Sequence, residues 1–235
     1  MNGLYLAASG AASTLASLET ATTNLTNATT PGFRRLFTVV QAMSGDGSPY
    51  EYAVSGGSPA IDMAQGPVNR TGNPLDVGLT GPGFITVQTP NGEAYTRDGE
   101  LSVAPNGTLM AAGYPVATSG GGALTLTPGT ITINRSGLVS VNGDALGQIA
   151  LGDPSGVQME PIGRGLYVPV GGGELPAGAP GTEFHQGFLE GSTGTLVGSM
   201  LAVMNAMRSY QAAMNAVHSI NNDQQRAIQT LTMQA

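Results

Sequence analysis

Apolar residues recur at alternating spacings of four and three at both ends of the chain, and this pattern constrains the fold most. It runs from Leu4 to Leu25 near the start and from Leu196 to Leu231 near the end. Such a heptad seam is typical of a helix that packs against another helix. We therefore predict one helix over residues 1–30 and a second from about Thr195 to Thr232, the two seams pairing with each other. The large seam residues are Leu4, Leu15, Leu18, Leu25, Leu196, Met200, Val203, Met207, Tyr210, Met214 and Val217.

The first seam ends in the stretch TTNLTNATTPGF, residues 22–33. A residue before proline is pushed out of the helical region, so Thr30 before Pro31 predicts the end of the helix. Gly32 can take a positive φ and turn the chain, and Phe33 is the predicted anchor of the turn. The predicted turn motif is Asn24, Asn27, Thr30, Pro31, Gly32 and Phe33.

The middle of the chain consists of short β-prone runs separated by turn signals. Pro90-Asn91-Gly92, Pro105-Asn106-Gly107, Arg135-Ser136-Gly137 and Asn142-Gly143 each follow such a run. Asn-Gly between alternating apolar residues is a strong hairpin signal. These turns predict an all-β domain built from hairpins.

Together these patterns predict an α+β fold whose long terminal helices pair as a coiled-coil-like domain around an inserted β domain. The predicted divisions are an N-terminal helix over residues 1–32, an extended linker over 33–65, a β-rich domain over 66–170, a return linker over 171–189 and a C-terminal helix over 190–235.

Charge is scarce and lies in the middle of the chain. The net charge is −7, and all of it falls in residues 51–185, so both ends are neutral. The chain has no basic face of the kind that nucleic acids need, and we expect no nucleic-acid partner. No run of 18 apolar residues occurs, so we expect no membrane span. The first residues carry no positive charge, so we also expect no secretory signal peptide.

Residues that carry chemistry are few. There is no cysteine and no lysine, and the two histidines, His185 and His218, are far apart. We therefore expect no metal, no cofactor and no catalytic residue. The acidic residues of the β region offer a glycosidase-like carboxylate pair as an alternative, but most lie beside turn residues, which favours solvated charges. They are Asp62, Asp76, Glu93, Asp98 and Glu100.

Two arginines directly follow the turn motif. Arg34 and Arg35 are either solvated charges after a helix end or contacts with polar or acidic groups of a neighbouring subunit. The sequence leaves both alternatives open.

Three segments, in this order, resemble one family, the flagellar axial proteins of the rod and hook. NLTNATTPGF is similar to their N-terminal signature, the segment from QGPVNRTGNPLDVG to AAGYPV to their rod-protein core, and QGFLEGSTGTLVGSMLAVMNAMRSYQAAMNAV to their C-terminal helix. The resemblance covers nearly the whole chain. The short chain and the segment AGYPVATSGGGALTL favour a proximal-rod over a distal-rod member.

The resemblance implies a structural protein, not an enzyme. Its members leave the cell through the flagellar type III export apparatus without a cleaved signal. They polymerise with copies of themselves and with other rod proteins into a helical tube that transmits torque and encloses the export channel, in the periplasmic part of the basal body. It also implies an inner layer of terminal helices and an outer layer of β domains. The alternative from another class is an exported enzyme or adhesin that carries its activity in the β domain.

Overall fold

The computed structural model describes residues 2–38, 41–44, 52–55 and 59–233. In these ranges the chain forms a helix, a β-rich middle and a second helix, as the α+β prediction requires. The helices are α1 (Asn2–Thr26) and α2 (Leu196–Met233). The strands are β1 (Leu36–Thr38), β2 (Gln41–Ser44), β3 (Tyr52–Ser55), β4 (Pro59–Ile61), β5 (Val68–Arg70), β6 (Val77–Thr80), β7 (Phe84–Thr89), β8 (Gly92–Thr96), β9 (Ser102–Val103), β10 (Leu109–Ala111), β11 (Tyr114–Pro115), β12 (Ile131–Ile133), β13 (Leu138–Val141), β14 (Asp144–Gln148), β15 (Leu151–Gly152), β16 (Met159–Gly163), β17 (Leu166–Pro169), β18 (Glu183–Gln186) and β19 (Phe188–Glu190).

The described residues divide into two compact units. The helical unit draws on Met1–Thr26, Leu36–Ala60 and Leu196–Ala235, and the β unit on Asn27–Arg35 and Ile61–Thr195. The two stretches that the sequence predicts to be linkers contain strands: β1 to β4 lie in residues 33–65, and β18 and most of β19 lie in residues 171–189.

In the helical unit α1 contacts α2, and β2 pairs with β3. Hydroxyl groups along α1 donate hydrogen bonds to carbonyl groups of the preceding turn, so the hydroxyl groups need no charged partner. Thr20, for example, donates to the carbonyl of Ala16 at 2.9 Å, and Thr22 donates to that of Leu18 at 2.8 Å. The Thr-rich segment is helical up to Thr26 although such bonds slightly destabilise a helix, which leaves packing as the main source of its stability.

The first helix ends before the predicted end at residue 30. The Thr30 N–H donates to the carbonyl of Asn27 at 3.1 Å, which is a tighter turn than the α-helix makes. Residues 27–32, which include Pro31, therefore form turns and a bend. The second helix spans nearly the range that its seam predicts.

The β unit is built around a five-stranded antiparallel sheet in the order β15-β7-β8-β17-β16. Smaller sheets, β11-β10-β9, β12-β13-β14, β18-β6 and β19-β5, complete it. All four predicted turns join paired strands: β7 to β8, β9 to β10, β12 to β13 and β13 to β14. One apolar core includes Val77, Ile85, Leu109, Val139 and Phe184, each at most 1% exposed.

Candidate functional site

The turn motif begins in the helical unit, where the side chain of Asn24 holds the returning chain. Its Nδ2 donates to the carbonyl of Leu36 at 2.7 Å, and its Oδ1 accepts from the N–H of Leu36, also at 2.7 Å. Asn24 is 7% exposed. The amide thus satisfies both backbone groups of the first residue of β1, as a neighbouring strand would.

The rest of the turn motif lies in the β unit. Phe33 is buried, and its N–H donates to the carbonyl of Thr30 at 3.3 Å. Gly32 has φ +65°, a left-handed conformation that favours glycine. A Cβ at this position would also collide with the backbone of Arg97 and Asp98. Position 32 therefore requires glycine for two independent reasons.

The turn motif lies directly against a segment from the far end of the β unit. The N–H of Gly32 donates to the carbonyl of Glu190 at 2.7 Å, and the N–H of Thr193 donates to the carbonyl of Phe33 at 3.0 Å. The N–H of Arg35 donates to Oγ1 of Thr193 at 2.7 Å. We call residues 32–35 and 190–193 the junction. In sequence, α1 ends shortly before it and α2 begins shortly after it.

The centre of the junction is a buried ion cluster. One carboxylate oxygen of Glu190 lies 3.0 Å from a terminal nitrogen of Arg34, and the other lies 3.0 Å from a terminal nitrogen of Arg97. Each of the three residues is 1% exposed. Arg34 also donates to the carbonyl of Ala64, and Arg97 to the carbonyl of Gly81.

The cluster holds two cations and one anion away from water. Burial lowers the pKa of Arg97 to about 10, although the charge of Glu190 acts in the opposite direction. In the part of the chain that the structure describes, the buried side-chain polar atoms without a hydrogen-bond partner are Nε of Arg34 and Nε of Arg97. The cluster is therefore specific in geometry but costly to bury.

Aromatic rings close the cluster. The hydroxyl of Tyr167 in β17 accepts from the N–H of Arg34 at 2.8 Å, and burial raises the pKa of Tyr167 to about 12. The guanidinium of Arg97 lies 5.1 Å from the ring centre of Phe84, a cation–π contact. The rings of Phe84 and Tyr167 meet edge to face at 5.7 Å.

Both predicted alternatives for Arg34 are wrong. It is neither solvated nor left for a neighbouring subunit, because it is paired with Glu190 of its own chain. Arg35 is exposed and pairs with Asp62 at 3.2 Å. The sequence analysis missed Glu190 and Arg97 as partners. The one available signal was that Glu190 is the last charged residue before a run of 17 uncharged residues that ends at Arg208.

The seam residues lie on two helices that contact each other. Leu18, Leu25, Val203, Tyr210, Met214 and Val217 are half-buried. Leu15, Leu196, Met200 and Met207 are at least 40% exposed, and the side chain of Leu4 lies outside the described residues.

One face of the first half of α2 is apolar and uncovered. Its six large apolar side chains are between 44% and 68% exposed, and no charged residue occurs from position 191 to position 207. They are Leu196, Val197, Met200, Leu201, Met204 and Met207. Contiguous exposed apolar surface of this kind marks an interaction site. We call these six residues the α2 face.

Three of the acidic residues of the β region lie near one another, because Asp76 and Glu100 face each other in an antiparallel bridge and the charges of both act on Asp98. Asp76 is 5% exposed and accepts from Nδ2 of Asn73 at 2.8 Å, so the expectation of a solvated charge is wrong there. Burial raises the pKa of Asp98 to about 6; a hydrogen bond from the N–H of Glu100 opposes this, and the charges of Glu100 and Asp76 add to it. Among the residues that the structure describes, no group of three or more His, Cys, Asp and Glu could hold a metal ion.

Neither described helix has a stretch that is both long and apolar enough to cross a membrane.

Comparison with known proteins gives two family matches and a set of full-length relatives. Residues 78–150 match the flagellar hook protein FlgE/F/G D1 domain, and residues 185–230 match the C-terminal domain of the flagellar basal body rod FlgEFG proteins. The chain is 30% identical to the flagellar basal-body rod protein FlgF of Escherichia coli over 99% of both chains. It is 32% identical to FlgF of Caulobacter vibrioides over 90% of both. Against the rod protein FlgG of Borreliella burgdorferi it is 28% identical, over 94% of this chain and 96% of that one.

Proposed function

The chain belongs to the FlgF family of flagellar basal-body rod proteins, and we propose that it builds the proximal part of the rod by assembling with copies of itself and with other rod proteins. It is a structural subunit of the flagellar basal body, and the prediction that it is not an enzyme is confirmed by this family. The alternative of an exported enzyme or adhesin is not retained.

The α2 face is the observation that carries the proposed assembly. Six large apolar side chains lie on three turns of helix, and each is 44% or more exposed among the residues that the structure describes. Taking a side chain of this size from full exposure to full burial contributes about 1.5–3 kcal/mol, and these half-exposed side chains can each contribute roughly half of that. The absence of charge from 191 to 207 removes the electrostatic repulsion that identical helices would otherwise feel in a tube. We infer that neighbouring subunits cover this face in the rod.

The pairing of the two helices completes the proposal. The half-buried positions Val203, Tyr210, Met214 and Val217 follow the heptad spacing, and α1 contacts α2. We propose that these positions, with Leu18 and Leu25 of α1, form a coiled-coil-like seam. In the assembled tube, the two helices would belong to an inner domain and residues 66–170 to an outer one.

The route to the rod is part of the same proposal. The subunit is exported by the flagellar type III apparatus without cleavage, and the rod that it helps to build crosses the periplasmic space and encloses the export channel. Mass spectrometry of the subunit in purified basal bodies tests the absence of cleavage, since a processed chain would lack its first residues.

A charge placed on the α2 face tests the assembly. We expect Leu201→Glu to abolish swimming and to leave basal bodies with truncated rods in electron micrographs. Glutamate and leucine have similar helix propensities, so the fold itself should not change. The matched control is Ile162→Glu, because Ile162 in β16 is 51% exposed and Leu201 is 54% exposed. Normal rods in the Leu201→Glu strain would refute the role of this face.

A further inference from the structure

We propose that Glu190 is a positioning residue: its carboxylate, held between Arg34 and Arg97, sets the register of the two segments of the junction, and rod assembly depends on that register. The proposal rests on the proposed function, since it concerns how the subunit is made ready for the rod.

Glu190 binds three separate parts of the β unit through four contacts. Its side chain pairs with Arg34 and Arg97 and accepts from the N–H of Gly66 at 2.8 Å. Its carbonyl accepts from the N–H of Gly32 at 2.7 Å. The side chain and backbone of Glu190 therefore fix residues 32–34, 66 and 97 to one another.

A buried cluster of this kind is poorly suited to provide stability alone. Two cations surround one anion, and both Nε atoms lack a partner among the described residues. Apolar side chains of similar volume often give equal or greater stability at such sites. The cluster differs from an apolar one because its contacts are directional: each carboxylate oxygen of Glu190 pairs with one planar guanidinium. A cluster with fixed directions selects one alignment of the segments that carry it.

The surrounding backbone leaves no room for another alignment. Gly32 lies so close to the backbone of Arg97 that a Cβ would collide with it, and a Cβ on Gly66 would collide with the carbonyl of Gly191. A slip of one residue in an extended segment moves it by about 3.3 Å. Such a slip would break the Gly32–Glu190 and Thr193–Phe33 backbone hydrogen bonds together.

The register matters because both helices continue from these segments in sequence. Thr26 ends α1 shortly before Arg34, and Leu196 begins α2 shortly after Glu190. A heptad seam tolerates no offset between its helices, since a shift of one residue turns a side chain by about 100° around the helix axis. A change of alignment at the junction would alter the lengths of chain that lead from it to α1 and to α2, and we propose that the pairing of the two seams depends on these lengths.

A triple variant of the full chain, Arg34→Met with Arg97→Met and Glu190→Leu, replaces the whole cluster by apolar side chains. It separates the effect of the cluster on stability from its effect on register. We expect an unchanged midpoint in urea unfolding of the purified protein. We also expect amide hydrogen exchange at Gly32 and Thr193 about tenfold faster than in the wild type, with unchanged exchange at Val87 in the core. In cells this variant should be exported but should not support swimming.

The control replaces the exposed ion pair of the same region, Arg35→Met with Asp62→Leu, and should leave both exchange and swimming as they are. Wild-type exchange at Gly32 and Thr193 together with normal swimming in the apolar variant would overturn the proposal. The exchange measurement is made on the purified protein and needs no rod. It therefore still tests the role of Glu190 if the Leu201→Glu strain swims and the proposed role of the α2 face is refuted.

A second pair of variants decides the matter if the apolar variant does not fold. Glu190→Asp keeps the charge but is one methylene too short to reach both arginines, whereas Tyr167→Phe weakens the same site and leaves the Glu190 contacts in place. Swimming is compared at temperatures that give both variants the same folded fraction. Poorer swimming of Glu190→Asp supports the positioning role, and equal swimming refutes it.

Discussion

The side-chain amide of Asn24 forms two hydrogen bonds with the backbone of Leu36, each 2.7 Å long. One bond uses the amide as donor and the other uses it as acceptor. A carboxylate lacks the donor and a hydroxyl is too short to span both groups, so asparagine is the residue that this return of the chain requires.

Asn24→Ala should leave two backbone groups of Leu36 unpaired in a buried place. We expect a loss of about 2–4 kcal/mol in the free energy of unfolding of the helical unit. Urea unfolding followed by circular dichroism at 222 nm measures it. Thr22→Ala is the control, since Thr22 is exposed and bonds within its own helix. Equal urea midpoints for the two variants would show that the Asn24 hydrogen bonds do not stabilise the fold.

Gly32→Ala should be strongly destabilising, because the added Cβ meets backbone atoms of Arg97 and Asp98 that cannot rotate away. We expect a cost above about 3 kcal/mol. Gly72→Ala isolates the conformational part of this cost, since Gly72 has φ +79° but open space around it. Its cost should be about 1 kcal/mol. The difference between the two urea midpoints measures the steric part, and similar midpoints would contradict the close approach.

Asp98→Asn should stabilise the chain at pH 7. Burial raises the pKa of Asp98 to about 6, so the folded chain holds this proton more tightly than the unfolded chain, whose carboxyl has its ordinary pKa near 3.8. Above pH 6 the buried charge opposes folding, and this cost disappears as the pH falls from 6 towards 4. We expect a gain of about 1–2 kcal/mol at pH 7 that vanishes near pH 4.

Urea unfolding between pH 4 and 8 checks both the gain and its pH range. Asp153→Asn provides a control of opposite sign, because hydrogen bonds from Ser155 lower the pKa of Asp153. That substitution should reduce stability at pH 7, and the loss should fade as the pH drops below the ordinary pKa. A gain for Asp98→Asn that did not change with pH would rule out the buried charge as its cause.

Tyr167→Phe should remove the acceptor of the Arg34 N–H in a fully buried place. An unpaired buried donor costs about 1–3 kcal/mol, and the ring itself still packs against Phe84. We expect the free energy of unfolding to fall by that amount and the Arg34 amide to exchange faster, as hydrogen exchange with mass spectrometry can measure. An unchanged midpoint would mean that the N–H finds another acceptor.

The helices and hairpins were predictable because their signals are local. The seam from Leu196 to Val217 marks α2, and pairs such as Asn142-Gly143 mark the turns between strands. Strands of three residues, such as β19, are too short to show a period, so sequence reasoning placed most of β19 in a linker.

The junction was not predictable, because its contacts join residues that are far apart in the chain. Nothing near Arg34 indicates that Glu190 is its partner, or that Arg97 shares the same carboxylate. The sequence marks Asn24 and Gly32 as parts of a turn, but their partners Leu36, Arg97 and Asp98 follow only from the packed structure. Buried ionic contacts of this range need the fold before they can be read.

Two backbone hydrogen bonds, from Gly32 to Glu190 and from Thr193 to Phe33, hold the chain near residue 32 against the chain near residue 192. The chain between these two points is therefore a loop with a narrow neck. Tension applied at residues 30 and 195 is carried across this neck by those bonds and by the ion pair of Arg34 with Glu190. The sheets within the loop do not carry this tension. The β unit can therefore keep its shape when the chain is pulled at both ends of this loop.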